Sequence, residues 1–313
     1  MIVPTVTPSL AAGLLGSLRV AGPGHETIVV DNGTGAPELD RAAAALEGAR
    51  VLRLPENLGY ARAVNRAARE AQGEALVLLN DDSVVDAAYA ERLVAALDPA
   101  AGVVMAAGVM RDAGAPELIE TAGIELDRTL LAYDYLTGEP VSVLGGELAD
   151  PIGPSGAAAA FDRETFLSAG GFDERIFAYL EDVDLVLRIR REGGRCRLAK
   201  GATGKHQHSA TLGPGSARKD YLAGFGRGYL LRKWNVLTPR RLPAVLVREV
   251  AQVALQSAID RNLGPLRGRV NGLRAGTPSE PYPPPEVLGD PPSLGSMVRR
   301  RWRRRARLRR RRD

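Results

Sequence analysis

Two groups of neighbouring acidic residues stand where this sequence could do chemistry. In the first, Asp81 and Asp82 follow the apolar run 75–79 and are separated from it by Asn80 alone. Paired carboxylates at the end of a buried strand suit a hard divalent cation such as Mg²⁺ or Mn²⁺. Aspartate is also favoured at turns and helix N-termini, so the pair fits the start of a turn equally well. The pair by itself leaves both interpretations open.

The second acidic group is Glu181, Asp182 and Asp184, at the start of a predicted helix that runs to about residue 192. Acidic residues in a first helical turn are stabilised by the helix dipole, and Asp184 is four residues from Arg188, so these two are predicted to pair. Glu181 and Asp182 are left to point elsewhere. A carboxylate held at the mouth between a strand and a helix can serve as a general base.

His206 and His208 form the only concentration of histidine in the chain. Imidazole binds divalent transition metals, but side chains two residues apart on an extended segment point to opposite faces. At most one of the two is therefore predicted to reach a metal. The alternative is a pair of histidines with no special role.

The elements that must position these residues alternate between short β-branched runs and helical stretches, which is typical of an α/β domain. Strands are predicted at 2–6, 27–30, 50–54 and 75–79, and helices at 10–18, 38–46 and 60–71. The run 75–79 is apolar on both faces and predicts a central strand of a mostly parallel sheet. Because chemistry in such sheets lies at the carboxyl ends of the strands, Asp31 and the pair Asp81 and Asp82 are well placed.

The remainder of the chain predicts a different organisation. Residues 209–276 have apolar residues at helical spacing, whereas 276–296 contain seven prolines and three glycines and fit no regular element. We therefore predict a catalytic domain at 1–215, a helical extension packed on it at 216–275, a proline-rich linker at 276–296 and an arginine-rich, disordered tail at 297–313.

Charge is divided unevenly along the chain. Residues 297–313 hold eleven arginines and one aspartate, whereas residues 1–296 carry 31 basic against 36 acidic side chains. Such a tail attracts anionic lipid or nucleic acid by charge alone.

The ordinary apolar content and the single Cys196 exclude a disordered chain and a disulfide scaffold. The best membrane-span candidate, 243–259, is interrupted by polar residues, and no secretory signal is evident, so a cytoplasmic protein is expected.

In combination these features are more specific than any one of them. The chain resembles the family-2 inverting glycosyltransferases of the GT-A fold, particularly the bacterial rhamnosyltransferase-like branch, over residues 1–235. The resemblance is carried in order by VVDNG at 29–33, PENLGYARAVN at 55–65, LNDD at 79–82, GGFDE at 170–174, EDVDL at 181–185 with Arg188, and HQHSATLG at 206–213. The segment 152–161 departs from the family in having smaller residues, which permit a close backbone approach or leave room for a ligand.

The resemblance implies a role for each matching position. It implies that a nucleotide-sugar donor is held by residues at the ends of the first strands, in the following loop and helix, and at the start of the acidic motif: Pro4, Thr5, Asp31, Asn32, Asn57, Gly59, Asn65, Asn80 and Asp81. It implies a divalent metal, Mg²⁺ or Mn²⁺, with Asp82 and His206 as ligands. It implies Asp182 as the catalytic base, with Glu181 beside it.

The expected function is therefore transfer of a sugar from a dTDP-, UDP- or GDP-sugar to a hydroxyl of a cell-envelope glycan or lipid-linked acceptor. The arginine-rich tail would suit peripheral attachment to the anionic inner face of the cell membrane. A sugar-phosphate nucleotidylyltransferase is an alternative, although 4–8 is not the expected phosphate loop. A nucleic-acid-binding protein acting through the tail is a further alternative, but the acidic body makes nucleic acid an unfavourable partner.

Overall fold

The structure is a computed structural model that describes residues 1–20, 25–206 and 215–288. Eleven strands lie in this part of the chain: β1 Ile2–Thr5, β2 Thr27–Asn32, β3 Ala49–Leu54, β4 Ala75–Leu79, β5 Ser83–Val85, β6 Val103–Asp112, β7 Ala115–Thr121, β8 Ile124–Leu126, β9 Ala132–Asp134, β10 Ala158–Asp162 and β11 Arg195–His206. The α-helices of the same part are α1 Pro8–Val20, α2 Glu38–Ala44, α3 Tyr60–Glu70, α4 Tyr89–Val94, α5 Arg163–Ser168, α6 Glu181–Arg191, α7 Ala217–Lys233, α8 Leu242–Asp260 and α9 Gly264–Ala275.

The strands form one large sheet in the order β3-β2-β1-β4-β10-β6-β11-β5, with β7 paired to β6, and β8 and β9 make a small separate sheet. The half from β3 to β4 is parallel throughout, whereas β10 lies antiparallel between β4 and β6. The predicted α/β fold, with its central β4 and helices after residue 215, is confirmed. The tail at 297–313 lies outside the described residues.

Alternation of side chains along the parallel strands divides the core between the two faces of the sheet. Ile2, Ile28 and Leu76 point to the face covered by α3, α5 and α6. Their neighbours Val3 and Val29 point to the face covered by α1, α2 and α4. Because strands buried on both faces must be apolar throughout, the composition of the run 75–79 follows from its central place.

The chain divides into two compact units. Within the described residues the first comprises 1–124, 134–177 and 181–206, and the second comprises 125–133, 178–180 and 215–288. The first contains the large sheet and its helices. The second contains α7 to α9.

In the second unit, the described part of the predicted proline-rich linker, 276–288, makes specific contacts. The Tyr282 hydroxyl donates to the Arg128 carbonyl at 2.5 Å, and the Arg241 guanidinium lies 3.4 Å from the centre of the Tyr282 ring. Val287 is buried.

Helix α8 covers 243–259, the stretch that the sequence offers as its best membrane-span candidate. Within the described residues one helix, α8, is long and apolar enough to be a candidate membrane span by length and composition alone. The polar residues at 248, 249, 252 and 256 interrupt the apolar run, but the mean hydropathy of the helix remains high enough for a candidate span.

Candidate active site

Three side chains line the carboxyl ends of neighbouring parallel strands. Thr5 on β1 pairs in register with Asp31 on β2, and Asp31 pairs with Arg53 on β3. Residues in register on adjacent strands point to the same face, so the sheet itself brings these groups into a row. Pro4 is buried within β1 beside Thr5.

Asp31 is fully buried and tightly held. One carboxylate oxygen accepts from the Thr34 amide at 2.8 Å and from the Thr34 hydroxyl at 2.6 Å, and the other accepts from Arg53 at 2.5 Å. Burial alone would raise the pKa of Asp31, but the Thr34 hydrogen bonds and the Arg53 charge outweigh it and hold the pKa below its usual value. Asp31 is thus a fixed anion at the sheet edge.

The loop before α3 is fixed by amide side chains. Asn32 accepts from the Leu58 amide at 2.9 Å and donates to the carbonyl of Gly59 and to Asn57, both at 3.2 Å. Gly59 has φ of +88°, and a Cβ there would lie 2.5 Å from the Phe177 carbonyl oxygen. Glycine is therefore required at this position by both conformation and space.

Asn65 lies deeper, in the core under the same helix. Its amide group donates to the Phe172 carbonyl at 2.9 Å and accepts from the Phe172 amide at 2.8 Å. Asn65 thus joins α3 to the turn at 170–172 by two hydrogen bonds. Its role in nucleotide binding stays a prediction.

Asp81 and Thr5 meet at the end of the sheet. The Thr5 hydroxyl donates to the Asp81 carboxylate at 2.6 Å. Burial raises the pKa of Asp81 to about 6, and the negative charge of Asp82 beside it adds to the rise. Because the Asp81 carboxylate is poorly solvated, a nearby cation or hydrogen-bond donor would strongly stabilise its ionised form.

Asp82 contacts His206 because β5, which begins directly after Asp82, pairs with the end of β11. The Nε2 atom of His206 lies 2.8 Å from the Asp82 carboxylate, and its Nδ1 atom lies 3.1 Å from Glu120. Burial would lower the pKa of His206, but the hydrogen bonds and charges of Asp82 and Glu120 raise it to about 10. The two carboxylates thus favour the protonated imidazole, and a metal ion bound at Nε2 would replace the proton there.

The residue types around His206 fit a divalent cation. Asp82 supplies carboxylate oxygen, the ligand type that Mg²⁺ and Mn²⁺ prefer. His206 supplies an imidazole nitrogen, a common ligand of divalent transition metals such as Mn²⁺, and Glu120 lies on the far side of the ring. Asn80 lies 3.4 Å from the same nitrogen of His206. Among the described residues no three His, Cys, Asp or Glu side chains are already arranged around one point as metal ligands. By residue type, Asp82 and His206 fit such an ion. The other histidine of the predicted pair, His208, lies outside the described residues.

Asp182 lies at the N-terminal end of α6, facing a turn made of small residues. Its two carboxylate oxygens accept from the backbone amides of Gly156 at 2.9 Å and Val183 at 2.8 Å. Burial raises the pKa of Asp182, although these two amides oppose the shift. Each oxygen keeps a second lone pair, so the group can still accept a proton. Within the small-residue segment 152–161, Gly153 permits a close approach to α6, because a Cβ there would lie 2.2 Å from the Val186 side chain.

Tyr60 joins the two acidic groups. Its hydroxyl donates to the Gly156 carbonyl at 2.9 Å. Burial raises the pKa of Tyr60 well above its usual value, and the negative charges of Glu181, Asp182 and Asp81 raise it further. The Tyr60 hydroxyl and the Asp182 carboxylate thus bind the same residue, Gly156, and this hydroxyl lies within range of the charges of both acidic motifs.

The remaining residues of the second acidic motif are also accounted for. Glu181 is buried, and the two residues before it have positive φ values of 71° and 73°, a strained backbone that is often found at functional sites. The predicted pair of Asp184 and Arg188 is confirmed at 2.9 Å. Arg188 also donates to the Gly171 carbonyl at 2.6 Å, so this pair anchors α6.

Sequence reasoning missed four residues of this site: Arg53, Tyr60, Glu120 and Gly156. Arg53 had a signal, because it ends a strand next to the one that ends at Asp31. Tyr60 lay within a quoted motif without being assigned a role. Glu120 is 86 residues from His206 along the chain, and no local pattern indicates their contact.

The large sheet with helices on both faces has the GT-A fold. Residues 8–129 match the model of Glycosyl transferase family 2, and the matched segment includes Asp31, Asp81 and Asp82. The O-antigen biosynthesis protein RfbC of Myxococcus xanthus is 29% identical over 207 residues, which is 61% of this chain and 15% of that protein.

Two solved structures share the fold. A structure of GalNAc-T7 with UDP, GalNAc and Mn²⁺ has a TM-score of 0.59 at 15% identity and covers 88% of this chain and 54% of its own. The mannosyltransferase PcManGT of Pyrobaculum calidifontis, in complex with GDP-Man and Mn²⁺, has a TM-score of 0.53 at 17% identity. The match covers 95% of this chain and 77% of PcManGT. The chain thus spans about half of the first structure and a small part of the Myxococcus protein.

Proposed function

We propose that this protein transfers a sugar, with inversion at the anomeric carbon, from a nucleoside-diphosphate donor to a hydroxyl of a cell-envelope glycan or lipid-linked acceptor. The observation that carries the proposal is geometric: Asp81 accepts from Thr5 at the sheet edge, Asp82 lies 2.8 Å from His206, and Asp182 is fixed by the Gly156 amide. The name of the Myxococcus relative supports an envelope polysaccharide as the acceptor class, and the ligands in the two structural neighbours support a nucleotide-sugar donor.

In this proposal the donor lies against the carboxyl edge of the parallel strands. Asp31, Asn32 and the loop with Asn57 and Gly59 hold the nucleoside, because they offer fixed hydrogen-bonding groups at that edge. Thr5, Asn80 and Asp81 face the diphosphate and sugar, and Asp82 and His206 hold a Mg²⁺ or Mn²⁺ ion. When bound, this ion supplies Lewis-acid neutralisation of charge on the departing diphosphate.

At the acceptor side Asp182 takes the proton. The acceptor oxygen forms its bond to the anomeric carbon while the bond from that carbon to the diphosphate oxygen breaks, and the electron pair leaves with the nucleoside diphosphate. The hydroxyl proton passes to the Asp182 carboxylate. A raised pKa makes this carboxylate a stronger base than an exposed aspartate, and the two backbone amides fix its direction.

The test is Asp182→Asn, which keeps the shape of the side chain but removes its basicity. Turnover should fall by roughly 10²-fold or more, because general-base catalysis contributes about that factor. Stabilisation by UDP, dTDP or GDP with Mn²⁺ in a thermal-shift assay should be unchanged. Glu192→Gln, at an exposed position just beyond the same helix, is the matched control and should keep full turnover.

Product analysis separates the competing chemistries. Release of nucleoside diphosphate together with a glycoside of inverted configuration, read by NMR of the anomeric proton, would support the proposal. Release of pyrophosphate would instead identify a nucleotidylyltransferase. An Asp182→Asn protein that keeps more than a tenth of wild-type turnover would remove Asp182 from the role of base.

A further inference from the structure

Helix α8 exposes an apolar face. Leu246, Val247 and Val250 are 51%, 61% and 66% exposed, and Leu242 lies on the same face one turn earlier. Only 6% of the most apolar stretch of this helix is buried. A helix surrounded by water normally turns this face toward the protein core.

The polar side chains of α8 point the opposite way, into the second unit. Glu249 accepts from Arg227 at 2.8 Å and from Arg269 at 2.6 Å. Gln252 accepts from Arg269 at 2.8 Å, and Gln256 donates to Asp220 at 2.8 Å. The helix is therefore amphipathic in the reverse sense, with polar groups inside and apolar groups outside.

This reversal indicates that α8 lies along an apolar surface rather than across a membrane. A spanning helix is surrounded by lipid or by other membrane-embedded helices, whereas the polar face of α8 is bonded to α7 and α9. A helix with one face held by protein and one apolar face outward can be buried in the headgroup and upper acyl region. On α9, Leu263, Leu266 and Val270 are exposed as well.

The charge around these helices selects the kind of surface. Residues 215–275 contain twelve basic side chains and three acidic ones, and none of the three acidic residues falls in the exposed class. The exposed charges are arginines: Arg218, Arg232, Arg240, Arg261, Arg267 and Arg274. A second copy of this chain would bring like charges together, whereas an anionic lipid surface would be attracted.

We propose that the α8 face, defined as Leu242, Leu246, Val247 and Val250, is a membrane-docking surface that inserts into an anionic lipid leaflet. In this proposal the exposed Arg240 and Arg261, next to the two ends of α8, contact the lipid headgroups. This docking differs from attraction of the tail at 297–313, which is electrostatic and is weakened by salt, because insertion of apolar side chains persists at high salt.

The experiment is flotation of the full chain with vesicles of phosphatidylcholine alone or mixed with phosphatidylglycerol, at low and high sodium chloride. We expect binding to the mixed vesicles, with a fraction that resists salt. Val247→Glu/Val250→Glu should lower the salt-resistant partition coefficient by at least about tenfold, because two apolar contacts with lipid are replaced by charges. Val94→Glu, a similar change on α4 in the first unit, should leave partitioning unchanged.

A second measurement locates the contact even if the double variant fails to fold. Val247→Cys is labelled with an environment-sensitive fluorophore, which is feasible because Cys196 is buried. Fluorescence should rise with mixed vesicles and be quenched by brominated lipid, whereas a label at Val94→Cys should not respond. Flotation without a response at 247, no flotation at all, or a dimer in ultracentrifugation that the double variant abolishes would each overturn the proposal.

Discussion

At the scale of single residues, the side chain that most changes the chemistry of the site is Glu120. It contacts the Nδ1 atom of His206 at 3.1 Å while Asp82 lies 2.8 Å from Nε2. A histidine that binds a metal through one nitrogen is usually held by a hydrogen bond at the other, which fixes the tautomer and the ring direction. We therefore assign Glu120 the role of positioning His206.

Glu120→Gln should weaken Mn²⁺ binding by about 10- to 100-fold, as loss of such an orienting partner typically does. Titration calorimetry of the metal alone measures this without any turnover. Glu117→Gln, at an exposed position on the same strand β7, is the control and should bind Mn²⁺ like the wild type. Equal affinity in the Glu120 variant would mean that His206 is not a ligand or is held by other groups.

At the scale of elements, α7 and α9 pack with their backbones in close contact. A Cβ added at Gly268 would lie 2.1 Å from the Tyr221 carbonyl oxygen, and one at Gly272 would lie 2.0 Å from that of Phe225. A Cβ at Gly228 would lie 2.1 Å from the Arg269 carbonyl oxygen. Glycines on both helices thus permit a separation that any side chain would prevent.

Gly268→Ala should destabilise the protein by about 1–3 kcal/mol or more, since the added methyl group meets backbone atoms that cannot move aside. Gly13→Ala is the control for the same chemical change, because nothing lies within 4 Å of a Cβ at this exposed position of α1. There alanine should stabilise by about 0.5–1 kcal/mol through helix propensity. Denaturant unfolding gives both values, and two stabilised variants would contradict the proposed close packing.

At the scale of the whole molecule, the distribution of charge matters more than its total. Residues 1–214 carry 19 basic and 30 acidic side chains, whereas 215–275 carry twelve and three. Glu249 is one of those three acidic residues and lies between two nearly buried arginines, Arg227 and Arg269. Burial would raise the pKa of Glu249, but the two arginines outweigh it and hold the pKa below its usual value.

This lowered pKa predicts how overall stability depends on pH. Because the folded protein holds Glu249 ionised more strongly than the unfolded chain does, its contribution is complete above the unfolded pKa and is lost as pH falls through the folded value. Glu249→Gln should cost about 3–5 kcal/mol near neutral pH, since it leaves two buried cations uncompensated. Urea unfolding from neutral to acidic pH should show the difference between wild type and variant shrinking, and a constant difference would contradict the assignment.

The sequence by itself determined the fold class, the central strand β4 and the pairing of Asp184 with Arg188. These features are local or periodic: an apolar run buried on both faces and charges four residues apart are set by nearby residues. The sequence also placed Asp31, Asp81 and Asp82 at strand ends, because parallel strands all end at one edge.

Only the tertiary structure decided which of these groups meet. His206 reaches Asp82 through pairing of β5 with β11, and Glu120 lies 86 residues from its histidine. Tyr60 and Asp182, far apart in the chain, both bind Gly156. The periodicity of the sequence also did not show that the apolar face of α8 is exposed. Periodicity identifies an apolar face of a helix, but it does not show which face packs against the rest of the protein. Long-range packing settles both, since contact between distant segments depends on how all the elements assemble.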